Sequence, residues 1–109
     1  MTATRLCHID DIEEGHSLGV DLSEQQSYIV VKKYGDIHVY LNRCPHLDIR
    51  LEWQENKFLD HERTFIECST HGALFEIDTG NCIIGPCQGD QLTLVEFDIV
   101  DGAIMAHVF

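Results

Sequence analysis

The sequence predicts a mainly antiparallel β fold, and three observations support this prediction. Apolar and β-branched residues recur in short runs or in alternation, which is the periodicity of strands. Turn residues rich in Gly and Asp separate these segments at intervals that suit hairpins. Helical periodicity is confined to residues 9–14 and 51–56, each enough for a turn or two. With 109 residues, the chain is expected to form a single domain, 1–109.

Strand periodicity occurs in residues 28–34, 37–41, 58–59, 64–67, 73–77, 92–100 and 103–109. The turns predicted between them are Gly35-Asp36, 60–63, 78–80 and 101–102. Two of these hairpins end beside a cysteine, because Asn42 lies two residues before Cys44 and Glu67 directly precedes Cys68. The apolar phase slips between Leu94 and Val95, which predicts a β-bulge. The first quarter of the chain receives no strand assignment.

The chain is strongly acidic, with 7 Lys and Arg residues against 19 Asp and Glu residues and a formal net charge of -12. No Lys or Arg follows Arg63. Nucleic-acid binding is excluded as a prediction, because contact with a phosphate backbone needs clustered basic residues. Two interpretations of the acidity stay open, namely solubility and electrostatic steering toward a basic protein surface.

The expected role of the cysteines depends on the cellular compartment that the sequence predicts. The N-terminal residues contain no apolar segment typical of a signal peptide, and no run approaches the roughly 18 apolar residues of a membrane span. We therefore expect a cytoplasmic protein without a membrane partner. In that reducing compartment cysteines serve as metal ligands or thiols more often than as disulfides. The chain has five, at Cys7, Cys44, Cys68, Cys82 and Cys87.

Two short motifs carry the chemistry of the sequence. They are Cys44-Pro45-His46 and Cys68-Ser69-Thr70-His71, separated by the 21 residues 47–67. Two thiolates and two imidazoles suit a tetrahedral zinc, or a two-iron cluster in which the cysteines hold one iron and the histidines hold the other. The Cys-x-His spacing is cramped for a zinc knuckle, whose paired ligands usually stand two to four residues apart. The spacing favours the two-iron cluster, and zinc remains the alternative.

These motifs resemble the two boxes of the Rieske [2Fe–2S] family, which read Cys-x-His and Cys-x-x-His-Gly. The resemblance covers about residues 28–109 and includes Gly72, Phe75, Thr79-Gly80 and Gly85-Pro86. It implies a Rieske-like antiparallel β-sandwich with a small cluster-binding subdomain, at approximately residues 43–88, formed by two hairpin loops. It also implies that Gly85-Pro86 covers the cluster from a third side. The ligands that it implies for one cluster per chain are Cys44, His46, Cys68 and His71.

The resemblance also bears on the reduction potential. Neutral imidazoles in place of two thiolates make reduction easier, so Rieske potentials lie between about −150 and +300 mV, above those of plant-type ferredoxins. High-potential members have a serine two residues and a tyrosine four residues after the second ligand histidine. This chain has Ala73 and Phe75 there, and neither box contains an extra cysteine for a disulfide. We predict a potential in the lower part of the range.

The function implied by the resemblance is that of a one-electron carrier, not an enzyme in its own right. Its implied partners are a flavin-dependent reductase and a terminal oxygenase. One alternative is the small subunit of an NAD(P)H nitrite reductase, whose partner would be the large subunit. The other is a non-redox interaction module in which zinc joins two hairpins. Cys82 and Cys87 are predicted to be buried thiols rather than a redox pair.

Overall fold

A computed structural model describes residues 2–23, 26–43, 58–60, 62–68, 72–85 and 88–108. These residues form one 3-10 helix, Ile9–Asp11, and nine strands with antiparallel pairing throughout. The strands are β1 Thr2–His8, β2 His16–Asp21, β3 Ser27–Lys33, β4 Asp36–Leu41, β5 Phe65–Glu67, β6 Leu74–Glu76, β7 Cys82–Ile84, β8 Phe97–Val100 and β9 Ala103–Val108. The predicted mainly antiparallel β fold is confirmed.

The strands make three sheets of three strands each, which we name by position. The outer sheet has the order β1-β9-β8, the middle sheet β2-β3-β4 and the small sheet β5-β6-β7. On β3, Tyr28 and Val30 belong to the core against the outer sheet, whereas Ile29 and Val31 belong to the core against the small sheet. Since successive side chains of a strand point to opposite faces, the middle sheet is buried on both sides. This explains why β3 carries a continuous apolar run instead of an alternation.

The turn between β3 and β4 is Tyr34–Gly35, one residue earlier than the predicted Gly35-Asp36. Lys33 pairs with Asp36, and both central residues have positive φ, 54° and 77°, as a type I′ turn requires. The Glu14 carboxylate accepts hydrogen bonds from the backbone N–H groups of Tyr34 and Gly35, at 2.7 and 2.8 Å. These bonds, led by that from Gly35, hold the pKa of Glu14 below its usual value. A carboxylate distant in sequence thus helps to fix this turn.

The phase slip near Leu94 comes from a change of sheet, so the predicted bulge is wrong. Leu41 N–H donates to the Thr93 carbonyl at 2.9 Å, and Val95 N–H donates to the Val39 carbonyl at 3.0 Å. From Phe97 onward the chain pairs with β9. The segment therefore leaves the middle sheet and enters the outer one, and the apolar alternation restarts for a different core. The predicted final turn, 101–102, is confirmed.

The first quarter of the chain contributes β1 and β2, which the sequence did not reveal. β1 has buried side chains at the consecutive positions Leu6 and Cys7, because its register shifts between Arg5 and Cys7. That shift removes the alternation by which a strand is recognised. The helical turn expected within residues 9–14 is confirmed, whereas residues 51–56 lie outside the described residues. In the part of the chain that the structure describes, no helix has the length and hydrophobicity needed to cross a membrane.

Candidate metal centre

The second predicted box begins at the end of β5, where a hairpin loop closes on itself. The backbone N–H of Cys68 donates to the Ala73 carbonyl, and that of Gly72 donates to the Cys68 carbonyl, both at 2.8 Å. Gly72 has φ +66°, a conformation that glycine adopts without strain. The Cys68 side chain is fully buried, at 0% exposure. The loop thus fixes the cysteine at its first position, while His71 lies outside the described residues.

The first predicted box follows β4. Asn42 is buried beside the start of β3, and its backbone N–H donates to the Ser27 carbonyl at 2.8 Å. Arg43 is the last described residue before the box. Cys44 and His46 lie outside the described residues, and the ligand role of all four predicted residues remains a prediction. The structure describes the route of the chain toward this box rather than the box itself.

A third segment contacts the second loop. Gly85 follows β7 with φ +109°, and a Cβ atom added to it would lie 2.9 Å from both Cα and Cβ of Ala73. Contacts that short do not occur between real Cβ atoms and their neighbours, so only glycine allows this approach. The expectation that Gly85-Pro86 forms a third cover has support at Gly85, which lies against the second loop. Pro86 lies outside the described residues.

Tyr40 lies on β4, the strand that leads to the first box. Its side chain connects this strand to the small sheet. Its hydroxyl donates to the Ile77 carbonyl at 2.7 Å, and its ring approaches Gly80 so closely that a Cβ there would lie 2.8 Å from Cε1. Burial, and then the negative charge of Asp78, raises the pKa of Tyr40 to about 12. The phenol therefore remains a neutral donor.

Among the described residues, the core that contains Cys68 is apolar apart from its thiols and the Tyr40 hydroxyl. Ala73 and Phe75 are buried in the same core, so two positions that carry hydroxyls in high-potential Rieske proteins carry none here. Cys82 is buried in that core as predicted, and its Sγ donates to the Ile84 carbonyl at 3.4 Å. Cys87 lies outside the described residues. Cys68 and Cys82 thus offer two buried thiols in one core, one in a predicted box and one outside it.

The described residues fit an iron–sulfur cluster on the side of the second box. Cys68 offers a thiol that is fully buried and held at the start of a closed loop. The turn at Gly72, whose positive φ suits glycine, brings the loop back to β6. A donor set of two thiolates and two imidazoles is the one that a Rieske cluster needs, and the sequence contains it in the two boxes.

Comparisons with known proteins agree with this fit. Residues 2–99 match the Rieske [2Fe-2S] domain family. Apoptosis-inducing factor 3 of Mus musculus is 33% identical over 76 residues, which cover 70% of this chain and 12% of that protein. The match with the Homo sapiens protein has the same identity and coverage. The aligned segment therefore spans only about an eighth of the curated relatives' length.

Solved structures share the fold across nearly the whole chain. The Sphingomonas yanoikuyae B1 ferredoxin is 27% identical, with a TM-score of 0.74 over 95% of this chain and 96% of that one. The ferredoxin of carbazole 1,9a-dioxygenase from Nocardioides aromaticivorans IC177 is 21% identical, with a TM-score of 0.75 and 97% coverage of both chains. A chain in a complex of reduced oxygenase and oxidized ferredoxin in carbazole 1,9a-dioxygenase is 20% identical, with a TM-score of 0.75 over 95% of this chain and 91% of that one.

Proposed function

Because the chain belongs to the Rieske [2Fe-2S] family, we propose that it is a soluble cytoplasmic one-electron carrier rather than an enzyme in its own right. Its cofactor is a Rieske [2Fe–2S] cluster, which supplies reversible one-electron transfer when bound. The observation that carries the proposal is the near-complete mutual coverage between this chain and the Sphingomonas yanoikuyae B1 ferredoxin.

We assign the cluster ligands to Cys44, His46, Cys68 and His71, within one Rieske unit at residues 1–109 whose cluster-binding part is approximately residues 43–88. Cys68 and Cys44 hold one iron as thiolates, and the two histidines hold the other as neutral imidazoles. Burial keeps water from the Cys68 sulfur, and the contact between Gly85 and Ala73 holds the third segment on the second loop. These residues bind and enclose the cofactor.

The proposed partners are a flavin-dependent reductase as donor and a terminal oxygenase as acceptor. Support comes from the similar chain in the complex of oxygenase and ferredoxin and from the stand-alone ferredoxins of the same fold. The net charge of -12 supports docking to basic protein surfaces and none to nucleic acid. A nitrite reductase large subunit is the alternative acceptor. A zinc-joined interaction module is the alternative without redox chemistry.

The assignment of Cys68 is tested with Cys82 as a matched control, because both thiols are buried in the same core. The wild-type protein is expected to purify with two irons and two acid-labile sulfides per chain, and to give a Rieske electron paramagnetic resonance (EPR) signal after dithionite reduction. Cys68→Ser should lose iron, sulfide and signal, since the serine hydroxyl is a poor iron ligand. Cys82→Ser should retain all three.

Two results would contradict the proposal. A Cys68→Ser protein with an unchanged signal would remove Cys68 from the ligand set. A colourless wild-type protein with one zinc per chain and no sulfide would favour the interaction module. Alanine at His46 or His71 extends the test to the imidazole ligands, and each variant should lack the Rieske signal.

A further inference from the structure

A short polar network lies inside an otherwise apolar interior. Among the described residues, the buried hydrophilic side chains are Ser27 and Asn42, each 4% exposed. Asn42 Nδ2 donates to Ser27 Oγ at 3.0 Å, and Ser27 Oγ donates to Asp21 Oδ1 at 2.6 Å. We call these three residues the 21–27–42 relay. It connects an exposed carboxylate at the end of β2 to the buried residue that follows β4.

The relay lies where the chain leaves the middle sheet for the first box. The backbone of Asn42 donates to the Ser27 carbonyl, so both its main chain and its side chain are bound to the start of β3. The next residue, Arg43, donates its N–H to the Leu41 carbonyl at 2.9 Å, which closes a tight three-residue turn around Asn42. Cys44 is the next residue. The direction in which the chain enters the box is therefore set at Asn42.

An apolar pair of similar size would fill the same space without the cost of burying polar groups. The buried hydrogen bonds restrict the local conformation, because a satisfied polar network allows fewer side-chain and backbone arrangements than apolar packing does. The turn at the opposite end of the middle sheet, Tyr34–Gly35, is held instead by hydrogen bonds to the exposed carboxylate of Glu14. Buried side-chain hydrogen bonds hold the chain beside the first box.

We propose that Asp21, Ser27 and Asn42 are positioning residues for the cluster. The relay holds the exit of β4 in one direction and thereby positions the chain directly before Cys44, the first predicted ligand. The inference rests on the proposed function, since it assigns these residues a role toward the same cofactor. Loss of the relay should widen the range of ligand positions, which changes the electronic environment of the iron and speeds its release.

The test uses the purified, cluster-containing protein and readouts other than turnover. Asn42→Leu and Ser27→Ala should alter the line shape of the EPR signal, shift the reduction potential, and release iron to a chelator about tenfold faster. Ser27→Thr keeps the hydroxyl and should restore wild-type values. Glu14→Ala is the control, because Glu14 fixes the turn at the opposite end of the middle sheet by accepting from the backbone N–H groups of Tyr34 and Gly35 at 2.7 and 2.8 Å.

Glu14→Ala should lower the thermal midpoint and leave the spectrum and the rate of iron release unchanged. If Asn42→Leu and Ser27→Ala behave like this control, the relay is merely structural and the inference is overturned. Should either fail to fold, Asp21→Ala interrupts the relay at its exposed end, and the same comparison decides. A wild-type protein without iron and sulfide overturns the proposed function as well, whereas a loaded wild type with unaffected variants overturns only the relay.

Discussion

Ala73 is one of the two residues, with Phe75, from which a low reduction potential is predicted. It is 1% exposed, its carbonyl accepts the hydrogen bond from Cys68 N–H, and it occupies a position where high-potential Rieske proteins carry serine. Hydrogen bonds from O–H donors to cluster sulfurs favour the reduced, more negative state. The absence of a hydroxyl on Ala73 accounts for the low potential that the sequence predicts.

Ala73→Ser is therefore expected to raise the reduction potential, measured by a redox titration followed by EPR. Ala106→Ser is the matched control. Ala106 is equally buried but belongs to the core against the outer sheet, so the same change there should leave the potential unaltered. A potential that falls in Ala73→Ser, or that moves equally in both variants, would contradict the hydrogen-bond argument.

Residue roles could be predicted where the motif itself carries the chemistry. The motif predicts a ligand role for Cys68 from its spacing to His71. The structure shows this side chain buried at the start of a closed loop, and the ligand role itself stays a prediction. The roles of Tyr40 and Ser27 could not be found in this way. Tyr40 contacts Ile77, and Ser27 contacts Asn42, at sequence separations of 37 and 15 residues. Such partners are known only when the sheets have been assembled.

At the scale of elements, the alternation of apolar and polar residues predicted strands well where the apolar side chains of a segment face a single core. It succeeded for residues 73–77, where Ala73, Phe75 and Ile77 are all buried as expected. It failed near Leu94, where the chain changes sheets, and in β1, whose register shifts. The reason is the same in both places, because alternation presumes that a segment faces one core in one register.

Gly85 tests the contact between the third segment and the second loop. Gly85→Ala should destabilise the protein by about 1–3 kcal/mol more than Gly89→Ala, because only the first adds overpacking against Ala73. Gly89 is a close control, since its φ of +97° imposes similar backbone strain while a Cβ there meets nothing within 4 Å. Urea unfolding of both proteins measures the difference. Equal losses of unfolding free energy in the two variants would mean that Gly85 can move away from Ala73 without cost, which would contradict the prediction.

For the whole molecule, the distribution of charge is the dominant electrostatic feature. Residues 64–109 contain no Lys or Arg, whereas all seven acidic residues of this half add negative charge. On the hairpin of β8 and β9, Glu96, Asp98 and Asp101 are exposed. Lys33 and Arg63 lie together near the turn Tyr34–Gly35, where Lys33 Nζ donates to the Arg63 carbonyl at 2.7 Å. This distribution of charge supports the proposed docking to a basic protein surface.

The rate constant for electron transfer to the physiological acceptor is expected to fall as salt rises. Attraction between exposed charges is screened beyond about 10 Å at 0.1 M ionic strength, so steering weakens in that range. Stopped-flow mixing of the reduced protein with its acceptor over a salt series measures the effect. A neutral small-molecule oxidant serves as control and should show little dependence. Rates with the acceptor that ignore salt would mean that the acidity serves solubility alone.

The middle sheet, buried on both faces, separates two cores. Residues of the outer-sheet core, such as Ile104, contact the face of the middle sheet opposite to that of Cys68. A substitution at Ile104 is therefore expected to change packing on that side without directly altering the surroundings of Cys68. The fold as a whole accommodates wide changes of sequence, since this chain and the two ferredoxins agree at TM-scores of 0.74 and 0.75 with 27% and 21% of residues identical.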